Sequence, residues 1–115
     1  MATYPTTEAE RRILADELQA RGLKPTQGKH HFDRAIIERM VDAMQDGTFD
    51  WNKAGLQPVI IRPAGEVLGG HHRVVAAHLA GIDLSAIPGP RPQVRTLPQN
   101  FRPENEWIDV LPDVQ

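Results

Sequence analysis

The chain is 115 residues long, 40% hydrophobic and 24% charged, a size that suits one globular domain around a single core and excludes two full ones. Its 13 Lys and Arg stand against 15 Asp and Glu, a formal charge of −2 that excludes coating of nucleic acid by bulk electrostatics and leaves only a local anion site. There is no cysteine, so disulfides, thiolate metal sites and cysteine nucleophiles are excluded, no apolar run approaches the roughly 18 residues of a membrane span, and Met1-Ala-Thr-Tyr-Pro5 carries no export signal.

Thr7-Glu8-Ala9-Glu10 is a capping box, in which hydroxyl and carboxylate each satisfy an orphan backbone N–H. It predicts a helix over about 7–21, with Ile13, Leu14 and Leu18 on its apolar face and Gly22 as the left-handed residue that ends it. Leu23 to His31 reads as a loop, broken by Pro25 and Gly28 and rich in Lys24, Lys29, His30 and His31; paired histidines in a loop are more often simply exposed. A second helix follows from Asp33 as N-cap, carrying Ile36, Ile37, Met40, Val41 and Met44 at three- and four-residue steps until Gly47. The stretch 47–55 is too polar and Gly-rich for a strand, and its Phe49 and Trp51 read as anchors to the core.

Pro58-Val-Ile-Ile-Arg-Pro63 and Val67-Leu68 predict a hairpin, ended by Gly69-Gly70. A helix from His71 to Ala80 then places Val75, Ala76, Leu79 and Ala80 on one face before Gly81, with His78 as partly buried packing. Pro88, Pro90 and Pro92 form a stiff connector, Gln93–Leu97 suits a strand, and Trp107–Leu111 a last extended piece. Arg91, Arg95 and Arg102 are spaced to track a phosphate backbone, although exposed arginines usually only solvate a surface. The chain thus reads as one α+β domain: an N-terminal helix and loop (1–31), a core with a mixed sheet and packed helices (32–97), and an acidic tail (98–115). Residues 104–115 hold four acidic and no basic side chains, and the simpler reading of them is a solvated end.

Chemistry concentrates in Glu66-Val-Leu-Gly-Gly-His-His-Arg73. Gly69 and Gly70 let the backbone approach an anion, the N–H groups of the following helical turn point at it, and the helix dipole adds roughly half a positive charge. Arg73 offers bidentate hydrogen bonds to phosphate, while His71 or His72 can donate to it or move a proton near neutral pH. Phosphate binding is therefore read from Gly69, Gly70, His72 and Arg73.

Pro58 to Gly81, with its strand, short turn, second strand and G-G-H-H-R before an alanine-rich helix, resembles the core of the ParB/sulfiredoxin superfamily. A looser similarity extends over roughly 32–97. In the sulfiredoxin branch G-G-C-H-R supplies a cysteine; His71 stands there, which removes sulfinic acid reduction. Chromosome-partitioning ParB proteins bind a nucleoside triphosphate at this turn but carry a helix-turn-helix module downstream, for which the 34 residues after Gly81 leave no room. The length and the Gly47-Thr-Phe-Asp-Trp51 segment are similar to ParB-like C-terminal domains of bacterial polymorphic toxins, viewed as nucleases. That resemblance implies a secreted effector domain that hydrolyses DNA in the target-cell cytoplasm and meets a cognate immunity protein. In it His71 or His72 would serve as general base or acid, Arg73 would stabilise charge on the phosphorane, and Glu66 and Asp50 would hold Mg²⁺ or Mn²⁺. The alternatives are a nucleotide-binding switch or ATPase using the same turn, and an interaction module with a degenerate pocket.

Overall fold

The computed structural model describes residues 4–26, 28–29, 32–51, 59–61, 65–83 and 106–114. Four helices and one hairpin follow in the order α1 (Glu8–Ala20), α2 (Arg34–Asp46), β1 (Ile60–Ile61), β2 (Val67–Gly69), α3 (His71–Leu79) and α4 (Trp107–Val110).

Helix α1 starts as its capping box dictates, with Thr7 Oγ1 accepting from the Glu10 N–H at 3.2 Å. Its end is a Schellman motif: the Gly22 N–H donates to Gln19 O and the Leu23 N–H to Leu18 O. The buried stripe is Arg11, Leu14, Ala15 and Leu18. Ile13, expected to face the core, lies outside that stripe and is 56% exposed.

Helix α2 is capped by Asp33, whose carboxylate accepts from the Ala35 N–H at 2.9 Å, and it turns inward Ile37, Val41 and Met44. It packs closely on α3. Helix α3 was expected to bury one face, yet Arg73 through Ala77 are all buried, which makes α3 the enclosed central helix of the fold.

The hairpin is antiparallel, with Ile60 opposite Gly69 and Ile61 opposite Val67. Beside it, Lys24 pairs with Glu66 in a parallel bridge, through Lys24 N–H to Gly65 O (3.0 Å) and Val67 N–H to Lys24 O (2.9 Å). The domain is thus helical with a small antiparallel sheet, α+β in the coarse sense, and among the described residues parallel pairing goes no further than this bridge. Gly65 sits where the two segments touch: a Cβ there would lie 1.8 Å from Gly22 O, so only glycine permits the approach.

The C-terminal segment departs most from expectation. Trp107–Val110 is a short helix rather than a strand, and Trp107, Val110, Leu111 and Pro112 are buried. Its backbone is held by polar groups of the N-terminal part. The Arg11 guanidinium, on a side chain only 5% exposed, donates to Ile108 O (2.6 Å), Leu111 O (3.1 Å) and Pro112 O (3.3 Å) while meeting Glu8 at 3.0 Å. The Tyr4 hydroxyl donates to Pro112 O, and the Trp107 indole N–H donates to Leu23 O at 3.0 Å. The last described residues form a strap across α1 and the α1–α2 connection, not a solvated tail. The expected connector at 88–92, the strand at 93–97, and Arg91, Arg95, Arg102, His30 and His31 lie outside the described residues.

Candidate functional site at the amino end of α3

Gly69 closes β2, and Gly70, at φ +80°, is the N-cap of α3. A glycine offers no capping oxygen, and the N-cap of this helix carries no side-chain cap bond. The turn is tight as well as left-handed. A Cβ on Gly70 would lie 2.8 Å from Val59 Cγ2 and 3.2 Å from Arg73 Nη2, which locates the Arg73 guanidinium directly beside the glycine. Arg73 is 6% exposed, and that burial draws its pKa below the ordinary guanidinium value. A guanidinium still titrates far above neutrality and carries its charge here.

The two histidines divide. His71 points into the core, 2% exposed, with its ring edge on Phe32 at a centroid distance of 5.6 Å. Its Nε2 accepts from the Thr26 N–H at 3.2 Å, and the Thr26 hydroxyl donates to Val67 O at 2.6 Å. Thr26 therefore ties the α1–α2 connection to both sides of the glycine turn. His71, read from sequence as a group for substrate, occupies a positioning place instead. His72 is half-buried and turned toward α2, where its Nε2 accepts from the Asp33 N–H at 2.9 Å and its ring centre lies 5.6 Å from that of Phe32. Burial lowers the His72 pKa, and the Asp33 carboxylate opposes that shift. The ring is thus neutral at pH 7, with its proton on Nδ1, since Nε2 accepts.

Glu66, half-buried, sits just before β2, and Asp50 is exposed in the segment after α2. Among the described residues no group of three or more His, Cys, Asp or Glu side chains is arranged to hold a metal ion. Phe49 and Trp51 meet edge to face at 4.7 Å and pack against the core, in keeping with an anchoring role. His78 packs between helices, its Nε2 2.8 Å from Glu17 Oε1 of α1.

Sequence reasoning missed Thr26, Phe32 and the backbone N–H of Asp33, the three groups that orient the histidines. Asp33 had a local signal, its capping position; the other two are visible only once the connection is seen beside β2. No helix among the described residues is long and apolar enough to cross a membrane. Comparison with protein-family models, curated proteins and solved structures finds no match to this chain.

Proposed function

We propose that this is a ParB/sulfiredoxin-like toxin domain that binds the phosphate backbone of DNA at the amino end of α3 and hydrolyses it. The observation that supports this reading best is the meeting of three features in one turn: a helix with no side-chain cap, a left-handed glycine, and the charged Arg73 guanidinium beside that glycine. Backbone N–H groups and a guanidinium suit the non-bridging oxygens of a phosphodiester. His72 is the general base: neutral at pH 7, it leaves the Asp33 N–H and takes a proton from water at Nε2. The water oxygen bonds to phosphorus, the P–O bond to the leaving strand breaks, and the departing oxygen is protonated by solvent. The imidazolium so formed is stabilised by the Asp33 carboxylate, and the negative charge building on the phosphorane by Arg73. His71 keeps the turn in place through Thr26. A partner that silences such a domain, a cognate immunity protein, would cover this turn.

The test is incubation of supercoiled plasmid with the wild type, His72→Gln and Arg73→Lys, each with Mg²⁺, with Mn²⁺ and with EDTA. Circular dichroism on each variant checks folding. Nicking by the wild type and loss of at least tenfold in both folded variants is expected; EDTA-sensitive nicking would bring Glu66 and Asp50 forward as ligands. Wild-type rates in both variants would overturn the site.

A second reading has its own support. In this state both histidine rings use Nε2 to accept backbone N–H groups, from Thr26 and Asp33. Such an arrangement suits holding a ligand more than moving protons, as in a nucleotide-binding switch. An intact plasmid together with a rise in thermal stability on adding ATP or GTP would favour it.

A further inference from the structure

A second cation, Lys29, lies on the connection that leads to the Asp33 N–H bound by His72. The Phe32 N–H donates to Lys29 O at 3.1 Å, closing a turn that brings Lys29 to the same end of the connection as Asp33, the residue bound by His72. Arg34 follows Asp33 as the first residue of α2. Its guanidinium carbon stands 5.5 Å from the centre of the Tyr4 ring, and the Tyr4 hydroxyl is bonded to Pro112. Arg34 is held on its own helix by Glu38, Nε to Oε1 3.0 Å, which leaves Lys29 as the cation at the end of the C-terminal strap. Asp113 is the carboxylate that meets Lys29 there: its Oδ1 lies 2.6 Å from Lys29 Nζ and 3.9 Å from Arg11 Nη2.

We infer that Lys29 forms a second phosphate subsite for a neighbouring phosphate of a polynucleotide, and that Asp113 occupies it as a built-in competitor until that phosphate arrives. The inference rests on the reading of the α3 turn as the first phosphate site. The pair is built to exchange, since both side chains are largely in water, Lys29 47% and Asp113 69% exposed. Exposed ion pairs are weak, and an entering phosphate brings the same charge with more acceptor oxygens. Release of Asp113 leaves it close to Arg11, so the strap stays seated on its backbone bonds. A mononucleotide fills only the turn, whereas a strand fills both positions. The two subsites thus select a polymer.

The experiment is fluorescence anisotropy of a labelled short DNA duplex with phosphorothioate linkages, which suppress cleavage, over a series of salt concentrations, with AMP as the single-phosphate comparison. Lys29→Ala is expected to reduce the slope of log K against log salt by about 1, the loss of one phosphate contact, and to leave AMP binding unchanged. Asp113→Asn is expected to tighten duplex binding about two- to fivefold, and that gain is expected to vanish in the double variant Lys29→Ala/Asp113→Asn. Lys29→Gln replaces Lys29→Ala should alanine loosen the turn. Duplex binding that depends on His72 but not on Lys29, or a gain from Asp113→Asn that persists without Lys29, overturns the subsite alone. Duplex binding unaffected by His72→Gln overturns the α3 reading and this inference with it.

Discussion

Replacing Gly70 by alanine tests the link between backbone conformation and the site. At φ +80° an L-residue is strained by about 1–2 kcal/mol. The added methyl would also sit 2.8 Å from Val59 Cγ2 and 3.2 Å from Val59 Cα, and Val59 is 3% exposed, so it has no solvent to move into. Overpacking a site of that kind costs about 1–3 kcal/mol, giving a total of about 2–5 kcal/mol. Urea unfolding followed by circular dichroism measures this directly. The steric part can be separated by a cycle with Val59→Ala, which removes the atom in closest contact: the second substitution should cost less in the Gly70→Ala background than in the wild type, by about 1 kcal/mol. A loss below about 0.5 kcal/mol for Gly70→Ala, or strict additivity with Val59→Ala, would refute both the left-handed cap and the close approach on which the phosphate site is built.

Arg11→Met removes every polar bond from α1 to the strap and leaves the carbonyls of Ile108 and Leu111 short of their donor. A loss of about 3 kcal/mol is expected by the same unfolding assay, with faster proteolysis near residue 106, and a loss under about 0.5 kcal/mol would show the strap to be held by apolar packing alone. The His72 pKa is lower in the fold than in the unfolded chain, so the folded state binds fewer protons as pH falls. Stability is full above the ordinary imidazole value of about 6.5 and declines as pH drops through the lowered folded value. Unfolding at pH about 7.5 and about 5.5 should show that decline in the wild type and a smaller one in His72→Gln. Equal declines in the two proteins would place the titrating group elsewhere.

The parts of this fold legible in the sequence are those decided within a few residues. Thr7 with Glu10, Asp33, and the glycines at 22, 47 and 81 mark helix ends because capping is a local bargain between side chain and backbone. The hairpin and the Gly69-Gly70 turn were readable for the same reason. What escaped was decided by partners far along the chain. Lys24 reads as a loop cation until Gly65 allows it to pair beside β2, and Arg11 reads as surface until three carbonyls about a hundred residues away surround it. Four apolar residues, Trp107, Ile108, Val110 and Leu111, suit a strand as well as a helix turn, and docking on α1 decided between them. Of the site, the turn and its residue types were legible. The division of labour between His71 and His72 was not, because adjacent residues at a helix start point about a quarter-turn apart, and only Thr26 and Asp33 reveal which one faces inward.

The strap has a consequence for how the molecule is made. Tyr4 and Pro112 are 108 positions apart, and Arg11 waits for carbonyls almost as distant. Contacts of such span form late and slow a folding reaction. A growing chain can assemble its helices and hairpin early, yet the buried guanidinium of α1 stays without its carbonyl partners until residues 108–112 have emerged, so the fold closes only once this whole span is available.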